Sequence, residues 1–250
     1  MFERDVTSGI LTIRLAHKKA NALDLELCDA LRGAIEDAGA DDTVRTIVLT
    51  GTGSIFSAGV DLPRMIDGGA QYVQQFVESL DAVLRALFLF PKPAIAAVNG
   101  HAIAGGAIIA FACDYRLMTG GRIGVPELLV GVPFPPLALE IVRFAVPRQH
   151  LQSMVYLGRT IEAAEAHAMR IIDEVVAVDA LVARAQSMAS QIAAIAPEAF
   201  RITKRQIREP FLHDAARVAA ASADEIDAIW AAPATHERIR AYLAKTIGKN

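Results

Sequence analysis

Two features of the chain predict an α/β fold: strand-like and helix-like segments alternate through the first half, and beyond Leu137 the strand signals almost vanish while helical spacing continues. A third observation sharpens this. Glycines cluster where strand-like runs end, in TGTGSIFSAG at 50–59 and NGHAIAGG at 99–106. The shift in composition marks the expected domain boundary, with residues 1–195 as a core that turns helical from about 137 and residues 196–250 as a C-terminal helical region.

Each element follows from local pattern. Runs at 2–4 and 10–15 bracket a Ser8-Gly9 turn, and Leu27, Ala30, Leu31, Ala34, Ile35 and Ala38 recur at the spacing of one helix face over 24–40. The apolar run at 46–50 reads as a buried strand. Tyr72, Phe76, Leu80, Val83, Leu84 and Leu87 mark a helix over 71–90, stopped by Pro91 and Pro93, with a strand at 94–98 after it. Gly105-Gly106 opens an apolar helix through Cys113, and short strands follow at 115–118 and 122–124. Helices are then expected at 137–146, 148–156, 162–168, 179–195, 197–208 and 213–231, with a last one from about Thr235.

Composition narrows the function classes. A chain of 250 residues that is 53% apolar with a net charge of −3 can bury a large core and has no basic excess, so nucleic acid is not an expected partner. The segment RITKRQIR at 201–208 is locally basic and reads as a helix face. Cys28 and Cys113 form no CxxC pair, and His17, His101, His150, His167, His213 and His236 show no HxxxH or HExxH spacing. Neither a disulfide framework nor a metal site is expected, and a reducing cytoplasm fits. The most apolar stretch, 102–113, is short of the roughly 20 residues that cross a bilayer, and the N-terminus reads as a hairpin strand rather than a secretory leader.

The two glycine-bearing junctions carry chemistry. Each follows a strand-like run, so Ala58-Gly59 and Gly105-Gly106 sit where backbone N–H groups are exposed beside small residues. Gly105 and Gly106 also start a helix, whose positive dipole end favours a developing anion. Asp61 and Leu62 lead into a helix that the Asp side chain would cap. Taken singly, such segments are also ordinary strand-to-helix turns or sites of close packing. Gly51 and Gly53 mimic a dinucleotide fingerprint, but Phe56 stands in place of its third glycine. Ser57 lacks the GxSxG setting of a nucleophile. Glu127 lies among Val125, Leu128, Leu129, Val130 and Val132 after Pro126, where desolvation would raise its pKa toward that of an acid-base group; a helix-start glutamate is the alternative.

The stretches KKANALDLEL at 18–27, IVLTGTGSIFSAGVDL at 47–62, KPAIAAVNGHAIAGGAIIAFACDYRLM at 92–118 and IGVPELLVGVP at 123–133 resemble, in order and spacing, the enoyl-CoA hydratase/isomerase family of the crotonase superfamily over essentially the whole chain. The resemblance implies a crotonase-like spiral of ββα units, a helical C-terminal trimerisation region giving a homotrimer or hexamer, and an acyl-CoA thioester as substrate with no separate cofactor. By position it makes Ala58 and Gly105 the oxyanion-hole donors. Lys18, Lys19 and Ala22 border the CoA nucleotide, Asp61 and Leu62 the pantetheine side, and Gly106 the substrate.

One departure shapes the expected reaction. Family hydratases carry a glutamate in the helix that starts at the glycine pair and a second after the later proline; here Ile108 takes the first place and Glu127 alone fills the second. Isoleucine can neither orient water nor deliver a proton, whereas moving a double bond asks for only one base. The expected activity is therefore Δ3-Δ2-enoyl-CoA isomerisation with Glu127 as proton shuttle. Hydration or another thioester chemistry is the alternative, and a non-catalytic acyl-CoA-binding or RNA-binding relative is the reading from another class. VGVPFPP lacks the glycine-rich run of many hydratases, which brings Phe134 and Leu137 forward as acyl-pocket residues, and Glu140 is a further carboxylate, in the pocket or on a solvated helix face.

Overall fold

Ser8 and Gly9 both take positive φ and close the antiparallel pair β1 (Phe2–Thr7) and β2 (Ile10–Leu15), with Thr7 opposite Ile10. The computed structural model describes residues 1–247. Asp24 accepts a hydrogen bond from the Leu27 N–H at 2.9 Å and so caps α1 (Leu25–Ala40), whose buried stripe is the face its apolar spacing predicts.

The chain then repeats one path three times, two strands and a helix. The first turn is β3 (Thr46–Thr50), β4 (Ile55–Ser57) and α2 (Leu62–Phe88); the second is β5 (Ala94–Val98), β6 (His101–Ile103) and α3 (Gly105–Ala112); the third is β7 (Tyr115–Met118), β8 (Arg122–Gly124) and the single-turn α4 (Glu127–Val130). With β9 (Thr160–Glu162) and β10 (Glu174–Val175), the strands form two sheets, ordered β1-β2-β3-β5-β7-β10 and β4-β6-β8-β9. Leading strands of successive turns pair in parallel, as do the trailing ones, so each turn lies beside the last. This spiral sets the ends of β4 and β6 side by side, with Ile55 opposite His101 and Ser57 opposite Ala102. The two glycine junctions, more than forty residues apart in sequence, thereby become neighbours.

β3 and β5 are buried on both faces, as their unbroken apolar runs require. Ile47, Leu49, Ala94 and Ala96 point into the main core, while Val48, Ile95 and Ala97 point to a second cluster closed by Leu181, Ala185 and Met188. Those three come from α8 (Leu181–Ala193), which follows α5 (Pro136–Ala145), α6 (Arg148–Tyr156) and α7 (Ala163–Ala168). The long α9 (Pro197–Ala231) and α10 (Pro233–Ile247) complete the described chain.

Three expectations need correction. The helix read over 71–90 begins nine residues earlier, and a break at Gly69 (φ 67°, ψ −172°) hides its first turns from a continuous periodicity. The helices read separately at 197–208 and 213–231 are one, running through Pro210, because neighbours on both sides of the proline hold it. Arg208 donates to the carbonyls of Phe88 and Ala112 and to Asp114, and Phe211 packs edge-on to Phe144 at 5.4 Å. The locally basic 201–208 segment is a helix face, as read, but its cations divide: Arg201 and Arg205 are exposed, whereas Lys204 and Arg208 are buried and both reach Asp114 at 2.7 Å. Finally, the short strands β4, β6, β9 and β10 give too little alternation to be read from sequence.

Candidate active site

A cavity of about 70 Å³ lies where the three spiral turns end. Ala58 and Val60 line it from the first turn, Ile103, Ala104, Gly105 and Ile108 from the second, and Pro126, Glu127 and Val130 from the third. Its remaining wall comes from Leu62 and Leu80 of α2, from Val132, Pro135 and Ala138 at the start of α5, and from Trp230 and Tyr242 of the C-terminal helices.

The backbone donors differ from expectation at the first junction. Ala58 donates its N–H to the Ala20 carbonyl at 3.0 Å, so that donor is occupied within the protein. Leu23, bridged in parallel to Val60, takes both hydrogen bonds of the bridge, donating to the Gly59 carbonyl at 2.7 Å and accepting from the Asp61 N–H at 2.9 Å. In a parallel bridge the central residue of the partner strand points its own N–H away. Val60 therefore turns its N–H from Leu23 toward the cavity side, and this N–H has no partner among the described residues. Gly59, at φ 83°, makes the reversal between Ala58 and Val60 possible. A Cβ there would lie 2.6 Å from the Ile103 carbonyl oxygen and 3.2 Å from the Gly105 nitrogen, which shows how closely the junctions approach.

At the second junction Gly105 is the first residue of α3, where an N–H has no intrahelical acceptor. Ala104 precedes it at φ 51° and ψ −127°, a conformation costly for a residue with a Cβ, held by its N–H to the Gly124 carbonyl at 2.8 Å and by its carbonyl accepting from Ile108 at 3.1 Å. Gly106 has a different role from the one expected: a Cβ there would meet the Ser57 oxygen at 2.5 Å, so it lets α3 pack on β4 and does not line the cavity.

Glu127 starts α4 after Pro126 and is buried, with Oε2 lacking any hydrogen-bond partner. Burial pushes its carboxyl up to about 8, only partly opposed by a backbone hydrogen bond. Among the described residues it is the one acidic side chain lining the cavity, and Ile108, buried in α3, supplies an aliphatic wall of the same space. Glu140 corrects both of its readings: it is buried yet outside the cavity, with one oxygen on Arg143 at 2.5 Å. Phe134 and Leu137 are packed in the core, and their neighbours Pro135 and Ala138 reach the cavity instead. His101 is exposed and accepts from the Arg122 N–H through Nδ1.

The loop before α1 forms an open groove of about 420 Å³ with Thr52, Ser54 and Ile55, and His17, Lys18, Ala20 and Asn21 line it. Asn21, not singled out from sequence, ties the loop down: Oδ1 accepts from the His17 N–H at 2.8 Å and Nδ2 donates to the Phe56 carbonyl at 3.1 Å. Lys18 donates to the Asp24 carboxylate at 2.5 Å, and His17 and Arg64 reach the same oxygen. Burial works against the Asp24 charge, but hydrogen bonds from His17, Lys18 and Leu27 outweigh it and hold the carboxyl at about 2. Lys19 and Ala22 line neither groove nor cavity; Asp61 caps α2 at the Arg64 N–H, and Leu62 lines the cavity.

The family model described as enoyl-CoA hydratase/isomerase matches residues 5–247. The chain belongs to the enoyl-CoA hydratase/isomerase family. A Thermus thermophilus protein that carries the name of an enoyl-CoA hydratase is 35% identical over 191 residues, 75% of each chain. Mouse mitochondrial enoyl-CoA delta isomerase 1 is 26% identical over 213 residues, 84% of this chain and 74% of that one. In three dimensions the chain superposes on human mitochondrial delta3-delta2-enoyl-CoA isomerase with a TM-score of 0.92, covering 100% of this chain and 98% of the other at 23% identity, which establishes the crotonase fold. Hydratase and isomerase names both occur among such relatives, so kinship fixes the family and the cavity must speak for the reaction. Among the described residues there is no cluster of metal-ligating side chains, and no helix is long and apolar enough to cross a membrane.

Proposed function

We propose that this protein shifts the double bond of 3-enoyl-CoA thioesters to the 2-position, with Glu127 as the single proton shuttle. The observation that carries the reading is the pairing of one cavity carboxylate with an isoleucine, Ile108, where a hydratase would need a second polar group. The Glu127 carboxylate removes a proton from C2, and the C2–H electron pair flows into the thioester to give a dienolate. The Val60 and Gly105 N–H groups stabilise the dienolate oxygen; one such donor typically contributes about 3–4 kcal/mol. Protonated Glu127 returns the proton to C4 as the electrons move back to form the C2–C3 double bond, so the reaction balances without an added oxidant or water.

A pKa near 8 suits a group that must take a proton and give it back. The groove beside Lys18, joined to the cavity through the Ala20–Ala58 hydrogen bond, is where we place the CoA portion. The exposed apolar side chains Leu128, Leu129, Tyr156 and Leu157 support assembly into the expected trimer or hexamer. Purified protein is to be given 3-hexenoyl-CoA and 2-hexenoyl-CoA separately. Formation of the 2-enoyl thioester from the first is the expected result; hydration of the second with no isomerisation of the first makes the protein a hydratase instead.

A further inference from the structure

The space around Glu127 is small for an acyl-CoA site. Its volume of roughly 70 Å³ is well under the ~300 Å³ and more of ordinary ligand pockets. The reacting carbons of a thioester fill such a space, and an extended alkyl tail does not.

The wall that limits it includes the chain's one tryptophan. Trp230 stands at the end of α9, is only 4% exposed, and donates its indole N–H to the Pro133 carbonyl at 3.1 Å. Pro133 lies in the loop that joins α4, the carrier of Glu127, to α5. The indole is thus tied to the backbone a few residues beyond the base, and swinging it aside would leave the indole N–H of this buried side chain without its acceptor. Tyr242, Leu62 and Leu80 are the other large side chains of this wall, while Pro135 and Ala138 are a rigid ring and a methyl. Trp230 is the largest of these side chains, and its indole is held by the loop that follows Glu127.

We propose that Trp230 sets the length of acyl chain this site accepts and restricts it to short-chain thioesters. The proposal rests on the cavity being the acyl site, as in the reading above, but not on which reaction occurs there. Each methylene beyond the limit then costs on the order of 10-fold in affinity and in kcat/KM.

The test uses the full-length protein and saturated butanoyl-, hexanoyl-, octanoyl- and decanoyl-CoA, with binding followed by calorimetry for every protein and also by the fluorescence of the one indole for the wild type, alongside kcat/KM for 3-enoyl-CoA thioesters of matching length. For the wild type, affinity should fall at least 10-fold from hexanoyl- to decanoyl-CoA. Trp230→Ala should flatten this decline while changing butanoyl-CoA binding far less, and Trp230→Leu and Trp230→Phe should give intermediate slopes, so the series remains readable if the alanine variant does not fold. An indole that is only structural would weaken all lengths alike and leave the slope unchanged. That result, or a wild-type profile with no dependence on length, overturns the proposal. Loss of the isomerase reading looks different: the saturated thioesters keep their length profile while no 3-enoyl thioester is converted.

Discussion

Ala58 and Val60 are two residues apart, yet Ala58 donates its N–H to the Ala20 carbonyl at 3.0 Å while that of Val60, on the cavity side, has no acceptor among the described residues. In a regular strand two such N–H groups point the same way. The left-handed φ of Gly59 breaks that rule, and the unpaired N–H that we propose as oxyanion donor lies two residues along the chain from where a motif reading puts it.

Gly59→Ala is the direct check on this arrangement. The added Cβ meets the Ile103 oxygen at 2.6 Å and stands 3.2 Å from the Gly105 nitrogen, in a backbone conformation that disfavours any side chain. We expect destabilisation of about 1–3 kcal/mol and a fall in kcat of around 100-fold as the two donors are displaced. Thermal unfolding and steady-state rates measure the two effects separately.

Glu127 predicts opposite pH trends for activity and stability. As a base it must be ionised, so kcat/KM should climb with pH and level off above about 8, whereas Glu127→Gln should be flat and at least about 100-fold slower. Its folded pKa of about 8 lies above the ordinary 4.5, so between those values the folded protein binds more protons than the unfolded chain. Stability should therefore fall as pH rises through that window, by an amount of the order of a few kcal/mol, and Glu127→Gln should lose this slope. Urea denaturation of both proteins at pH 5 and pH 8.5 reads the difference; equal slopes would contradict the buried, unpartnered carboxyl.

Asp114 joins α9 to the spiral. Its two oxygens take Lys204 and Arg208 at 2.7 Å each, and one also accepts the Ala94 N–H at 2.7 Å. Burial already pushes Lys204 down to about 8. Asp114→Asn leaves two buried cations without a counter-charge and should cost about 3–5 kcal/mol, seen as a lower denaturation midpoint and faster proteolysis within α9.

Ala104→Gly should act the other way. Ala104 holds φ 51° and ψ −127° immediately before Gly105, and glycine adopts that conformation without strain. A gain of up to about 1 kcal/mol is expected, with the position of the Gly105 N–H retained. A loss of stability in thermal unfolding would show that the Ala104 methyl contributes more to the cavity wall than its backbone costs.

Much of this protein is legible in its residues. Strand alternation at 10–15, the doubly buried runs at 46–50 and 94–98 and the apolar stripe of α1 are local patterns that survive folding intact. Glu127 could be found from its apolar neighbours, and Gly105 from its place before an apolar helix. The first donor could not, because a hydrogen-bond direction depends on which partner strand arrives. Phe134 and Leu137 were misplaced for a similar reason: a proline-rich loop conceals which of two adjacent residues faces inward until α5 is docked.

Motif order along the chain carries the family resemblance, and through it the expected spiral of ββα units and the candidacy of Glu127 as base, because these rest on short local segments. Packing between distant segments settles the rest: among the described residues it is the Val60 N–H and not that of Ala58 that lacks a partner, Lys204 and Arg208 are buried, and Trp230 and Tyr242 wall the cavity. Those outcomes depend on contacts between segments about forty to a hundred residues apart, from the Leu23–Val60 bridge to the Trp230 indole on the Pro133 carbonyl, and no local pattern encodes partners that distant.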